Sequence, residues 1–241
     1  RPRGWPAARG ASPAGWSSNA VNWPHFSVTS NQAIGVDLSW ALMERAGRFS
    51  NTVGVAALDS GFCPQDNEDF PDNLQGFDAT ASSISPAINS LCTLPKFGSG
   101  WHGTHVFGSV MGVADDGYGV TGPAAPVADP AMAVHVLYDP YTTAQALVWA
   151  RNNGADIATM SYRWTVPYGL GWTVRGFYTN TTNALDANGM LLFGSAGNSD
   201  TSVDNEGCVG VNTAAGCVGN RDELMLHVPC ELPSVTPCDP P

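Results

Sequence analysis

The chain has 241 residues, 43% of them hydrophobic, which is enough for one α/β domain with a sizeable core. Its apolar stretches are broken by Gly, Asp or Ser before they reach the length of a bilayer span. Its net charge of −11, with Lys96 as the single lysine, repels phosphate backbones and anionic lipid. Neither a membrane nor a nucleic acid is therefore expected as a partner. Six cysteines (Cys63, Cys92, Cys208, Cys217, Cys230 and Cys238) without a C-x-x-C pair point to disulfides made in an oxidising compartment, hence to a secreted protein, rather than to zinc. The alternative of reduced thiols in a cytosolic protein stays open. The opening Arg1-Pro2-Arg3-Gly4, with no Met, is expected of a processed or excised piece.

The first thirty residues, rich in Pro, Gly, Ser and Ala with scattered Trp, read as an extended lead-in. A short helix is expected over 37–46, capped by Asp37 or Ser39 and stopped by Gly47, and an apolar strand over 53–58 that runs into Asp59. Residues 60–100 read as one long loop containing Pro64, Pro71, Pro86 and Pro95. A helix over 103–113 and a turn region reaching Pro130 follow. Then come a strand over 132–137, a helix over 144–153 ended by Gly154, a strand over 155–161, a helix over 177–188 ended by Gly189, and a strand over 190–194. Strands alternating with helices, each strand apolar enough for burial on both faces, predict a doubly wound, mostly parallel α/β/α sheet. The segment 31–241 would be a single domain. In such a sheet ligands bind beyond the carboxyl ends of the strands, where Asp59 and Asn198 fall, with His102 at the mouth of the neighbouring helix.

Three strings carry chemistry: Asp59-Ser60-Gly61, His102-Gly103-Thr104-His105-Val106 and Ala196-Gly197-Asn198. Asp-Ser-Gly after a strand is by itself an ordinary turn, and so is Gly-Asn-Ser. The histidine string is more specific. Gly103 lets the helix pack tightly while His102 stays at its mouth, and a carboxylate could then hold the imidazole in one tautomer as a general base. Asn198 could supply an amide donor to a developing oxyanion. His102 and His105 are spaced to share a metal, but the Glu of H-E-x-x-H is absent and no third ligand is evident, so no metal is expected. His25, His135 and His227 read as ordinary core or surface histidines.

Taken together, the three strings in this order resemble the subtilisin-like serine proteases, over about residues 31–235. Gly119-Val120-Thr121-Gly122-Pro123-Ala124-Ala125, Asn153-Gly154-Ala155-Asp156 and Met160-Ser161 are also similar to family segments. The resemblance implies a serine endopeptidase with Asp59 and His102 as two members of an Asp-His-Ser triad, Asn198 at the oxyanion and an extended peptide or protein as substrate. It further implies that Ser161 and the segment Ser195-Ala196-Gly197 form two walls of the pocket before the scissile bond, with His105 structural and hydrogen-bonded within the domain. Tyr162-Arg163-Trp164 stands where the family often has small residues, which would narrow that pocket or bias it toward acidic side chains unless Arg163 turns to solvent. No cofactor is required by this chemistry, and calcium is left open because no ligand set is legible.

The family's Gly-Thr-Ser-x-Ala-x-Pro nucleophile string is absent from the sequence. Ser60, Ser161, Ser195 and Ser199 adjoin the site, but none opens a helix after Gly-Thr. Residues 229–235 look like the approach to a further strand, and Thr236-Pro237-Cys238-Asp239-Pro240-Pro241 is expected not to continue the fold. Three readings follow: a portion of a protease whose serine segment lies on a separate or unseen chain, a truncated product, or an inactive protein that binds peptides in the cleft. The first is preferred. A flavodoxin-like small-molecule binder is disfavoured for want of a Gly-rich phosphate loop. Asp59 and His102 are expected within hydrogen-bond reach, Cys63 and Cys92 to close the 60–100 loop, and the missing helix to leave apolar sheet surface exposed.

Overall fold

A computed structural model describes residues 34–63, 69–81, 101–114, 120–162, 164–167, 180–195, 210–213, 216–219, 225–228 and 235–236. The first helix, α1 (Val36–Arg45), starts from Gly35 in the left-handed region at φ 70°. No side chain caps it: both expected caps, Asp37 and Ser39, lie inside the helix, and Ser39 donates its hydroxyl to the Gly35 carbonyl one turn back. Gly47, at φ 64°, ends the helix as expected. Val36 and Trp40 form the buried stripe of α1. They pack on Phe49 and Ala114, and the Trp40 indole donates to the Pro123 carbonyl at 3.0 Å.

The sheet grows from β1 (Val53–Asp59), buried throughout from Gly54 onward. It is flanked by β3 (Ala128–His135) on one side and β4 (Ile157–Met160) on the other, both parallel to it. A further strand, β2 (Leu74–Asp78), lies inside the segment expected to be loop and pairs with β3. On the other side β6 (Leu191–Gly194) follows β4, and β10 (Val235–Thr236) follows β6. All pairings are parallel, in the order β10-β6-β4-β1-β3-β2. Thr236, expected to fall where the fold cannot continue, is thus paired with Phe193. Two antiparallel pairs stand apart from this sheet: β5 (Trp164–Pro167) with β9 (Met225–Val228), and β7 (Gly210–Thr213) with β8 (Gly216–Gly219). Strand β3 starts earlier than expected and contains Pro130. The register slips by one residue between Val53↔Ala128 and Val55↔Ala131, so the proline that cannot donate to a ladder sits in a bulge.

Helices cover the two faces unequally. On one face α3 (Pro140–Asn152) and the helical residues 180–187 bury Ala144, Ala146, Leu147, Ala150 and Leu185 against Ala56, Leu58, Met132 and Val134. Helix α3 begins earlier than the expected 144. Asp139 caps it by accepting from the Tyr141 and Thr142 amides, and Pro140 is its first residue, where a missing N–H costs nothing. On the other face α2 (Trp101–Met111) lies over β1 and β3. Its Phe107 is fully buried, stacked on Phe70 at 4.3 Å and edge-on to Phe62 at 6.5 Å. Truncating such a residue costs about 3–5 kcal/mol, so this contact anchors the helix. That cover does not reach β6. Leu192 and Gly194 are buried beneath the α3 layer, whereas Leu191 and Phe193 are 51% and 41% exposed on the α2 side. Burial on both faces, expected of every strand, thus holds for β1 and fails for β6.

Two features of this packing lend themselves to measurement. A Cβ at Gly103 would overlap the Gly61 carbonyl oxygen, which is backbone, and lie 2.8 Å from the Cβ of Asp59 at the end of β1. At Gly108, on the same helix, the nearest obstacle is a movable Val120 methyl at 3.0 Å. Gly103→Ala should therefore lower stability by about 1–3 kcal/mol through overpacking. Gly108→Ala should be close to neutral, because helix propensity offsets the mild contact. Chemical denaturation of the two variants checks the difference.

The second feature is a buried pair at the ends of β2 and β3. Asp78 Oδ1 accepts from the Thr80 amide at 2.8 Å, the Thr80 hydroxyl at 2.7 Å and His135 Nδ1 at 3.0 Å. Burial pushes the Asp78 pKa up, but the Thr80 bonds and His135 outweigh it and hold it below the ordinary 3.8. His135 thus serves in the core, with Nε2 buried and without a hydrogen-bond partner. A carboxylate whose pKa is lowered on folding contributes stability that is complete above its unfolded value and lost as pH falls through the folded one. The stability deficit of Asp78→Asn should therefore be largest at neutral pH and shrink as pH drops below 3.8, measured as paired melting curves.

Candidate active site

The carboxyl end of β1, the first turn of α2 and the β3–α3 connection meet at one point. Asp59, the last residue of β1, has a fully buried side chain. A buried carboxylate is tolerated only with donors around it, and here they come from three directions. The Ser60 amide donates to Oδ1 at 2.7 Å, the Tyr138 hydroxyl reaches the same oxygen at 2.7 Å, and His102 Nδ1 lies 2.8 Å from Oδ1 and 3.0 Å from Oδ2. Asp59 and His102, expected to be within reach from their strings, are therefore in direct contact.

His102 is the second residue of α2, so the helix presents it from its first turn rather than from a preceding loop. Contact with a carboxylate selects the tautomer with the proton on Nδ1, which leaves a lone pair on Nε2. The side chain is 50% exposed, so Nε2 is open to the crevice while Nδ1 is tied down. Close approach of α2 to β1 depends on Gly103. Thr104 adds a tie by accepting from the Cys63 amide at 2.8 Å, which fixes the chain just past Ser60-Gly61. His105 differs from expectation: its ring is exposed, and its carbonyl accepts the Ser109 hydroxyl.

Tyr138 was not singled out by the sequence motifs. Its hydroxyl lies 2.7 Å from Ser60 Oγ as well as from Asp59 and 3.4 Å from His102 Nδ1. One hydroxyl has one proton, and the carboxylate is the stronger acceptor, so Tyr138 donates to Asp59 and the Ser60 hydroxyl is left to donate to Tyr138. Burial pushes the Tyr138 pKa well above the ordinary phenol value, and the Asp59 charge adds to this against the opposing Ser60 bond, so the group remains a donor. Its ring stacks on Tyr162 with centroids 4.6 Å apart, and the Tyr162 hydroxyl is hydrogen-bonded to Thr143 at 2.9 Å. The available signal was positional. Tyr138 follows a strand and precedes the Asp-Pro start of a helix, which places it among the loops beyond the strand ends.

The remaining expected site residues divide between those described and those outside the described residues. Ser161 follows β4 and Ser195 follows β6. The Ser195 amide donates to the Met160 carbonyl at 3.0 Å, so the carboxyl ends of β4 and β6 lie side by side. Tyr162 is buried against Tyr138 and Thr143. Arg163, Ala196, Gly197 and Asn198 lie outside the described residues, as does Cys92 of the expected Cys63–Cys92 closure. Among the described residues, no group of three His, Cys, Asp or Glu side chains is arranged to hold a metal ion.

Comparison with known proteins agrees with this architecture. The chain matches the profile of the subtilase family over residues 50–232. No curated protein matches it. Among solved structures, a lanthipeptide protease aligns with a TM-score of 0.53 at 19% identity, covering 81% of this chain and 50% of that one. The prenylagaramide maturation protease PagA aligns with a TM-score of 0.50 at 23% identity, covering 84% and 57%. The epidermin leader peptide processing protease EpiP from Staphylococcus aureus, as its S393A mutant, aligns with a TM-score of 0.54 at 14% identity, covering 76% and 45%. At these identities the likeness is one of fold, and the chain spans about half the length of the solved structures it matches. With the sheet order, the α2 cover and the profile match over most of its length in agreement, the chain belongs to the subtilase family of serine proteases.

Proposed function

We propose that the chain is the Asp-His portion of a subtilase peptidase domain, a secreted serine endopeptidase whose nucleophile comes from outside residues 1–241. The observation that carries this reading is the contact of His102 Nδ1 with the fully buried Asp59, with Nε2 left open to the crevice. In the reaction Asp59 holds the imidazole in one tautomer and stabilises the imidazolium. His102 Nε2 takes the proton of the attacking serine hydroxyl and later gives it to the leaving amine. Asn198 donates its side-chain amide to the tetrahedral oxyanion. Ser161, Arg163 and the segment Ser195-Ala196-Gly197 line the cleft that takes an extended peptide, while the Tyr162 ring is taken up in the stack on Tyr138. The adjacent carboxyl ends of β4 and β6, joined by the Ser195–Met160 bond, support two such walls. The solved structures of similar fold include proteases named for leader-peptide processing and peptide maturation, which favours a peptide substrate.

The missing serine follows from the sequence, which holds no Gly-Thr-Ser string. The uncovered side of β6 supports the same reading, because Leu191 and Phe193 form an exposed apolar strip on which a further helix could pack. The even set of six cysteines favours disulfides, with no pairing assigned. Calcium is not part of the proposed chemistry.

Residues 1–241 alone should show no covalent labelling by a serine-directed fluorophosphonate and no peptidase activity beyond the small residue that binding and oxyanion donors leave. Sequencing the transcript past the Pro241 codon should reveal a Gly-Thr-Ser segment, and a chain that includes it should label at one serine. In that longer chain Asp59→Asn should lower kcat by about 10⁴-fold, as loss of the correct tautomer does in such triads. Stoichiometric labelling of any serine within residues 1–241 would overturn the proposal. A stop codon together with peptide binding but no turnover would assign the cleft to binding alone.

A further inference from the structure

The Asp59–His102 pair is accompanied by a tyrosine whose placement is conformationally costly. Tyr138 occupies φ 56°, the single non-glycine residue in the left-handed region among the described residues. An aromatic residue has no local hydrogen bond to favour that conformation, so the surroundings must hold it there. Three contacts do so. The ring stacks on Tyr162 at 4.6 Å, Tyr162 is itself fixed by its hydroxyl bond to the buried Thr143, and the Tyr138 hydroxyl ends on Asp59 Oδ1 at 2.7 Å. A glycine would relax the backbone but would supply neither the stack nor the hydroxyl.

From this geometry we infer that Tyr138 is a positioning residue for the proton-accepting pair: its hydroxyl draws charge from Asp59 and pins the carboxylate in the rotamer that meets His102 Nδ1. The inference rests on the reading of Asp59 and His102 as a general-base pair. Of the two carboxylate oxygens, Oδ1 receives the Ser60 amide, the Tyr138 hydroxyl and His102 Nδ1, while Oδ2 receives His102 alone. Each donor on Oδ1 stabilises the anion and so weakens its pull on the imidazolium. The hydroxyl therefore does two things. It keeps the buried charge satisfied when the imidazole moves, and it keeps the basicity of Nε2 from rising too far.

Other groups near the imidazole would not produce the same effect. His105 lies one turn along α2 and is exposed, and the Asp78–His135 pair is closed on itself on the neighbouring strands. The Asp139 carboxylate is occupied by the Tyr141 and Thr142 amides and the Thr142 hydroxyl. Tyr138 and Ser60 are the neutral donors on Asp59, and Ser60 bonds chiefly through its amide.

The test is the titration of His102 by imidazole NMR in residues 1–241, comparing the unmodified chain with Tyr138→Phe, Ser60→Ala and Asp59→Asn. Tyr138→Phe keeps the ring stack, and its fold is checked by circular dichroism. Without the hydroxyl the carboxylate attracts the imidazolium more strongly, so the His102 titration should move to higher pH than in the unmodified chain. Ser60→Ala, which removes the hydroxyl next to Tyr138, should move it in the same direction by less. Asp59→Asn should lower it. If Asp59→Asn lowers the His102 pKa while Tyr138→Phe and Ser60→Ala leave it unchanged or lower it, the Tyr138 role is wrong and the pair stands. If Asp59→Asn has no effect, the general-base pair itself is wrong and the inference falls with it.

Discussion

A carboxylate with no solvent contact is the constraint around which this domain is arranged. Placing Asp59 at the buried end of β1 costs several kcal/mol unless donors meet it, and no single element could supply them. The Ser60 amide comes from the turn after the strand, the Tyr138 hydroxyl from the β3–α3 connection, and the imidazole from α2. Each donor requires its own element to be in register. The Phe107 cluster must seat α2, Gly103 must let it approach β1, and β1 must align with β3 so that the segment beyond His135 delivers Tyr138. The charge thereby links packing to chemistry, since an error in any of these contacts leaves it unsatisfied.

Much of this was legible in the residues, for reasons that differ along the chain. The Asp59–His102 contact was accessible because the histidine string is specific, with a glycine that permits close helix packing, and because an otherwise ordinary Asp-Ser-Gly turn precedes it at the end of an apolar strand. The parallel sheet was accessible from apolar runs separated by helix-length segments. Strand β2 was not, because Leu74–Asp78 is short, its first residues are only partly buried, and it sits between Pro71 and the Asp78-Ala79-Thr80 turn. The start of α3 was misplaced because Pro140 reads as a breaker when it is not recognised as the first residue after an Asp cap. In α1 the expected cap Ser39 turned back on the helix carbonyl, and Gly35 took its place, a choice that depends on backbone conformation rather than residue type.

Tyr138 shows a different limit. Nothing in its local sequence marks a hydroxyl aimed at a carboxylate 79 positions earlier, and its left-handed backbone runs against what a tyrosine prefers. Propensity argues against the observed conformation, and the tertiary contacts override it. Such conflicts between local preference and observed structure gather at functional sites, because only there does a geometric requirement outweigh the strain. The same logic separates the two imidazole–carboxylate pairs on this face of the sheet. Asp78 and His135 are both buried and closed on each other, an arrangement that stabilises strand ends. Asp59 is equally buried, but its histidine is half exposed, which leaves one nitrogen available for proton transfer.

The asymmetry of the sheet gives this difference a spatial meaning. Strands β1 and β3 are covered on both faces, and their ends carry the acceptor half of the site on a rigid base. Strand β6 is covered on one face only, and just past its end the Ser195 amide ties back to the Met160 carbonyl at the end of β4. Rigidity is needed where a tautomer must be fixed to within a few tenths of an ångström, since hydrogen-bond strength falls steeply with misalignment. On the face that α2 covers over β1 and β3, Leu191 and Phe193 of β6 stay exposed, so the firm part of the sheet is the part that carries Asp59. Every donor that fixes Asp59 comes from the turn after β1, from α2 or from the β3–α3 connection, so the buried charge is satisfied entirely by elements that the core itself seats.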